Sequence, residues 1–368
     1  PPPPPRPILR GLPVYSLTPG YRVPALQRGL SPTETLLTKA NAGLGSAVML
    51  SAIVTPPPLW AFAAVGAAGA LLNVAPGPRS IARWAAVGYR RVRERTAPDA
   101  MTTSPGTTRT WALYPHHGTM QDTHRRAEFH EAFSRALTFA GSQARTAGIQ
   151  IHVTHHADVR ETTQHIQTIS AHIPKGLAPA RVIDTLEAEL ASLGVLTLLE
   201  PEEVPDVIGR GPGWIELEDG RHAATARITA WPDETGGDLM PKLLLGQERD
   251  RSIAVLYRPL PPGQSRRSAK WQRAAGEAFT TDKVKAEAQD LASGSTHGAL
   301  VQGATLVDVD AYLTVWGDTP QDVTEARWEA ALVADRHRIR LDWLPGQQHR
   351  AHVMTTPHGA STKKGAIL

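Results

Sequence analysis

The chain has 368 residues, a formal net charge of +4 and no cysteine. That length allows two or three domains and a core that needs no covalent staples, while the missing cysteines exclude disulfides, thiolate metal sites and a cysteine nucleophile. Mean hydropathy is -0.25 and the pI about 9.4, so most of the chain has soluble character, and the mild basicity traces to arginines grouped after one apolar run, a placement that suits a membrane surface before nucleic acid.

Residues 1–32 are proline-rich and predict an extended or disordered segment. Pro1 to Pro5 shows no basic region leading into an apolar run, so no cleaved signal peptide is expected. From Ala40 to Pro78 there is no charged residue, 39 positions between Lys39 and Arg79. Pro56, Pro57 and Pro58 divide this run, because three prolines cannot sit inside a helix. Residues 33–78 therefore predict a transmembrane helical hairpin, with one helix from about Leu36 to Thr55 and another from Leu59 to about Ala75. Both are near the lower limit of about 17 to 25 residues for a span. Trp60 suits an interface at the turn, and Gly66 with Ala70 forms a small-xxx-small pair for close helix approach. A buried Ala/Gly-rich core hairpin is the competing reading.

Arg22, Arg28 and Lys39 precede the hairpin, and Arg79, Arg83, Arg90, Arg91, Arg93 and Arg95 follow it. Basic flanks on both sides predict a multi-pass protein of the inner (cytoplasmic) membrane with both termini cytoplasmic. Residues 79–110 read as a basic juxtamembrane helix and linker. In its first part, Ile81, Trp84, Val87 and Val92 alternate with arginines, as in an interfacial helix lying on lipid headgroups.

Residues 111–210 read as a first α/β subdomain. A helix is expected from Asp122 to Gly148, with Phe129, Phe133 and Leu137 on one stripe, then a strand from Ile149 to Val153. Pro179 to Leu193 is amphipathic through Val182, Leu186, Leu190 and Leu193, with Gly194 as its stop. Val195 to Leu199 follows as a strand. Residues 211–359 read as a second, α+β subdomain, and 360–368 as a tail. The second subdomain opens with a hairpin from Trp214 to Trp231 around Asp219-Gly220 and a short helix from Leu239 to Gly246. A strand follows from Ser252 to Arg258, then a long polar helix from Gln264 to Leu291. The pattern ends with a strand from Ala304 to Trp316, a helix from Pro320 to Asp335 and a strand from His337 to Leu344. The fold class expected is α+β: a transmembrane hairpin, then a cytoplasmic mixed sheet with helices on one face, a split β-α-β arrangement being allowed. No internal repeat of fixed period is visible.

Catalytic motifs are scarce. No G-x-x-x-x-G-K-[ST] occurs, and Gly359 to Gly365 has its glycines and lysines in the wrong order for a phosphate loop. There is no G-x-S-x-G elbow, no H-E-x-x-H and no EF-hand loop. Nine of the 15 histidines fall between His116 and His172. On a strand, His152 and His156 share a face, Asp158 can join them, and His155 opposes them. Those three are the metal-ligand candidates, set against the plainer reading of a polar, solvent-facing stretch. Arg266, Arg267, Lys270, Arg273, Lys283 and Lys285 offer phosphate contacts for a DNA-handling protein. Interspersed Glu277, Asp282, Glu287 and Asp290 favour a solvated or protein-binding helix instead. No catalytic or cofactor-binding residue emerges, so the expectation is a non-enzymatic chain without cofactor.

Trp231-Pro232, Leu243 to Gly246, Arg258-Pro259-Leu260-Pro261, the charged helix, the strand ending near Trp316, Leu344 to Gln348 and Thr356 to Gly359 occur in an order that resembles the non-catalytic N-terminal domain of the type IV secretion (conjugation) ATPase. The apolar hairpin is similar to the PrgI-like inner-membrane component that partners or fuses with that ATPase, an arrangement found in actinobacteria. The resemblance spans roughly Arg79 to Gly359 and is most specific from Trp231 onward. It implies a membrane-anchored structural subunit of an oligomeric apparatus, docking a separately encoded ATPase and other membrane subunits, and touching lipid through the hairpin and the six arginines after it. The ATPase part is not in the chain, and the 110–172 stretch is shorter and richer in histidine than the family's. EccE of type VII secretion has a similar layout and is the close alternative. A metal-dependent soluble enzyme built on His152, His156 and Asp158 is the alternative of a different class.

Overall fold

The computed structural model describes residues 15–16, 32–54, 58–74, 80–94, 103–119, 122–143, 148–159, 164–200, 204–232, 234–235, 239–244, 249–269, 298, 300–301, 303–362 and 367. Most of the proline-rich start, the segment 95–102 and most of the expected Gln264–Leu291 helix lie outside them; residues 262–269 are helical.

After the two-residue strand β1 (Tyr15–Ser16) come three helices, α1 (Pro32–Val54), α2 (Leu59–Asn73) and α3 (Ile81–Glu94). α2 begins directly behind Pro58, whose backbone is extended. The transmembrane expectation is corrected, because no helix among the described residues is long and apolar enough to cross a membrane. α2 has 15 residues, a rise of about 22 Å against a hydrocarbon core of about 30 Å. α1 has 23 residues, but Glu34, Lys39 and many Gly, Ala, Ser and Thr residues dilute its apolar character. The multi-pass inner-membrane placement with both termini cytoplasmic therefore loses its basis. The buried-hairpin alternative fails too, since no residue of α2 is buried. The helices meet through other glycines than expected. An added Cβ at Gly45 would lie 3.2 Å from Val65 and one at Gly69 3.1 Å from Asn41, whereas Gly66 has nothing within 4 Å. Asn41 Nδ2 ties the pair by donating to the Val65 carbonyl at 3.2 Å.

The described residues from 103 onward are built on a ten-stranded sheet. A separate two-stranded ribbon pairs β1 (Tyr15–Ser16) with β9 (Glu234–Thr235). The large sheet takes β2 (Gly106–Pro115), β3 (Gln150–Asp158), β4 (Gln164–Pro174), β5 (Gly194–Leu199), β6 (Val207–Arg210), β7 (Ile215–Leu217), β8 (His222–Ala230), β10 (Arg251–Pro259), β11 (Val307–Gly317) and β12 (Arg340–Asp342). Its order is β5-β2-β4-β3-β10-β11-β8-β7-β6, with β12 also on β8. Every strand pairing in it is antiparallel, which corrects the expected mixed sheet.

Two copies of one topology compose this sheet. The first runs β2, α4 (Thr123–Gln143), β3, β4, α5 (Pro179–Leu190), β5. The second runs β8, α6 (Leu239–Leu244), β10, β11, α7 (Pro320–Arg336), β12. In each, the helix-linked strands leave a gap that the next strand fills, the split β-α-β or ferredoxin-like arrangement. That insertion makes all neighbours antiparallel. The units join edge to edge through β3 and β10, with Thr154 opposite Ala254. The expected 210/211 partition lies in the connection between the paired strands β6 and β7, and β2 starts inside the segment read as linker.

Both units place their helices on the same face, because Val153 lies directly opposite Val255 and Ile151 opposite Tyr257. α4 and α5 cover Trp111, Ile151, Val153, Ile169 and Ile173. α6 and α7 cover Ile228, Ile253, Val255, Leu313 and Val315. Tyr257 touches both cores and packs edge-on to Phe133 at 5.1 Å. α7 starts where the sequence says, at Pro320, behind a capping box between Thr319 and Asp322.

Candidate functional site

The other face of the sheet is polar. Across its strands lie Thr108, Ser170, His172, His152, Thr154, His156, Ser252, Thr314 and Thr225, most of them buried. The segment 343–362 lies over it, comprising α8 (Gln348–Ala351) and two 3-10 turns, His352–Thr355 and Pro357–Ser361. Leu344, Ala351 and Met354 of this strap pack on Leu256 and Tyr312. Polar bonds fix it more specifically. Thr225 and Thr314 hydroxyls meet at 2.7 Å, and Thr314 meets Thr355 at 2.7 Å.

Gln348, one of the residues carrying the resemblance, has a structural role. β7 pairs with β8 as far as Ala223, and β12 only from Arg227. The Gln348 amide fills the gap between them. Its Oε1 accepts from the Thr225 N–H at 2.7 Å and its Nε2 donates to the Thr225 carbonyl at 2.9 Å. Gln348→Leu leaves both backbone groups buried without partners, an expected loss of about 2–4 kcal/mol. Urea denaturation with hydrogen exchange at the Thr225 amide measures it, and an unchanged protection factor there refutes the strand-filling role.

The three predicted metal ligands are not brought together. His152 and His156 share this face, but they lie four positions apart along the strand, about 13 Å. Their ring nitrogens are engaged elsewhere. His152 is fully buried; its Nε2 donates to the Met354 carbonyl at 2.8 Å, and Gly359 sits so close that an added Cβ would be 3.0 Å from the ring. Burial pushes its pKa down to about 4, against the Met354 bond and together with Arg258. His156 Nδ1 and the Ser252 hydroxyl share a hydrogen bond of 2.8 Å, and Ser252 Oγ accepts from Trp316 Nε1 at 3.0 Å. Burial also lowers the His156 pKa, helped by Arg221 and opposed by Asp250 and Asp158. Among the described residues no group of three or more His, Asp or Glu converges as a metal site. Nor does the Ser252–His156 pair form a nucleophile, because Ser252 is 2 % exposed and its oxygen already takes the Trp316 bond.

An ionic cluster lies at the far end of the same face. Asp310 bridges two arginines, meeting Arg227 through one oxygen and Arg258 through the other at 2.5 Å. Burial pushes the Asp310 carboxyl up, but Arg227 and Arg258 together outweigh it and hold the pKa below the ordinary range. Arg83 of α3 reaches into this region, 3.8 Å from Asp342, both side chains almost wholly buried. Val87 is buried one turn later, near Gly346, and Ser80 starts the helix by accepting the Arg83 N–H at 3.1 Å. α3 thus docks on the strap and sheet by its Ser80-Arg83-Val87 stripe. The expected headgroup-facing helix is turned with Arg83 inward and Ile81, Trp84 and Tyr89 outward.

α1 and α2 continue that apolar exterior. Leu44, Met49, Leu50, Leu59 and Trp60 are all exposed, Leu59 by 87 % and Trp60 by 71 %. Pattern reasoning found these residues by their apolarity and assigned them to lipid; the sheet domain leaves them exposed. No protein-family model and no curated protein matches the chain.

Proposed function

We propose that this chain is a non-catalytic docking subunit of a conjugation-type secretion apparatus, binding a separately encoded ATPase through the outer surface of α1, α2 and α3. The observation that carries this reading is the set of exposed large apolar side chains on α1 and α2, Leu44, Leu50, Leu59 and Trp60. Exposed apolar patches of this kind on a folded chain mark contact surfaces, and helices that present them suit packing against partner helices or a groove. A second support is the tie of α3 to the sheet domain through Arg83, Asp342 and Val87. It transmits a partner's position on the hairpin to the rest of the molecule. The order of residues from Trp231 to Gly359 supplies the class of partner.

The test is co-expression of the full chain with a conjugation ATPase and, separately, with a type VII secretion ATPase, followed by size-exclusion chromatography. Co-elution with the conjugation ATPase is expected, together with its loss in the Leu50→Glu, Trp60→Glu double variant at unchanged thermal stability. Co-elution with the type VII ATPase alone refutes the conjugation assignment. A complex indifferent to the double variant refutes the surface.

A further inference from the structure

The β3–β4 hairpin holds two histidines that the polar-face network does not use. Ala157 lies opposite His165 and His155 opposite Gln167, so His155 and His165 are diagonal neighbours on the helix-bearing face. His155 Nδ1 and His165 Nε2 are 3.0 Å apart. The ring planes are parallel within 2° and the centroids 5.2 Å apart. With nitrogens so much closer than centroids, the rings lie edge to edge with the two nitrogens between them, not face over face. One nitrogen carries the shared hydrogen and the other accepts it.

We propose that His155 and His165 form a two-imidazole site for a divalent transition metal, copper or nickel, with water completing the coordination. The donor set selects the ion: two neutral imidazoles with water in the remaining positions suit the tetragonal N,O coordination of Cu²⁺ or Ni²⁺, whereas tetrahedral Zn²⁺ sites take three or four protein ligands. Both rings are held neutral at physiological pH. Burial and then His165 take the His155 pKa down to about 4, and burial and then His156 lower that of His165. Binding needs each ring to swing by roughly 40° off the N···N line, so that the facing lone pairs converge on one point, and a tautomer with the remaining hydrogens on His155 Nε2 and His165 Nδ1. The neutral pair already carries two ring hydrogens, so none is released. His165 is exposed and His155 partly buried. The site is separate from His152, His156 and Asp158 and from the docking surface.

The experiment is calorimetric titration of the full chain, free of any histidine tag, with Ni²⁺ and Zn²⁺, and electron paramagnetic resonance with Cu²⁺. One Ni²⁺ per chain is expected to bind more tightly than Zn²⁺, with two nitrogen donors in the copper spectrum. His155→Phe and His165→Gln are each expected to weaken binding by on the order of 100-fold, through loss of the chelating partner, with metal-free thermal stability within a few degrees of the parent. Binding unchanged in both variants, Zn²⁺ bound more tightly than Ni²⁺, or no heat up to millimolar metal overturns the proposal. The last result would leave the pair as a plain imidazole–imidazole hydrogen bond.

Discussion

Asp310→Ala is expected to destabilise the fold by about 3–5 kcal/mol, because it strands two guanidinium groups in the interior. The side chains of Arg227, Arg258 and Asp310 are only 18 %, 10 % and 13 % exposed, so water does little to solvate the cations once the carboxylate is gone. These residues come from three adjacent strands, β8, β10 and β11, and the loss is felt across the second unit. An Arg249→Ala variant provides the contrast. Arg249 pairs with Asp322 and Glu325 nearer the surface, where a pair contributes about 0–1 kcal/mol. Urea denaturation of both variants measures the difference. A loss below about 1 kcal/mol for Asp310→Ala means that Arg227 and Arg258 find water or other acceptors, and that the bridge is not what holds these strands. Replacing the trio together with Met, Met and Leu is expected to recover much of the loss, since an apolar set of similar volume leaves no unpaired charge.

Lowering the pH from 7.5 to 5 is expected to remove about 2 kcal/mol of stability through His152 alone. In the fold its ring titrates at about 4, chiefly through burial, whereas the unfolded chain titrates at the ordinary 6.5. Between those values the unfolded state binds the extra proton. The contribution is therefore intact above about 6.5 and is lost as the pH falls toward 4. His152→Gln retains a donor for the Met354 carbonyl and removes the titration. The unfolding free energies of parent and variant at pH 7.5 and 5 decide the matter. The parent should lose about 2 kcal/mol more than the variant over this interval, and parallel losses mean that the strap opens and admits water before the protein unfolds. His155, His156, His165 and His172 are lowered in the same direction, so the variant keeps part of the slope.

Much of the second unit was legible. Val323, Ala326, Ala330 and Ala334 line the buried side of α7 at helical spacing, and Gly220 takes the positive φ of 80° that the Asp219-Gly220 turn requires. The strap could not be read in the same way. Its residues have no period, and their partners lie far off in sequence: His152 binds Met354 at a separation of 202 residues and Thr225 binds Gln348 at 123. The buried polar face also looks like a solvent-facing one, because Thr, Ser and His alternate with apolar residues either way. That is why β2 reads as linker until Trp111, and why His152 and His156 resemble free ligands.

By itself the sequence determined the breaks and the local elements: the proline division of the apolar run, the α5 stripe, the start of α7, the β8 turn, and the absence of cysteine. These depend on backbone sterics and on periodicity within one segment. Tertiary structure alone decided that two β-α-β-β-α-β units share one antiparallel sheet. Their loops and helices differ too much in length for a sequence period, with α4 at 21 residues and α6 at 6. It also decided that Arg83 turns inward to Asp342, that the strap closes the polar face, and that His155 meets His165 while His152 and His156 stay apart. Each of these depends on strand register, and register is settled only when distant strands bury one face together.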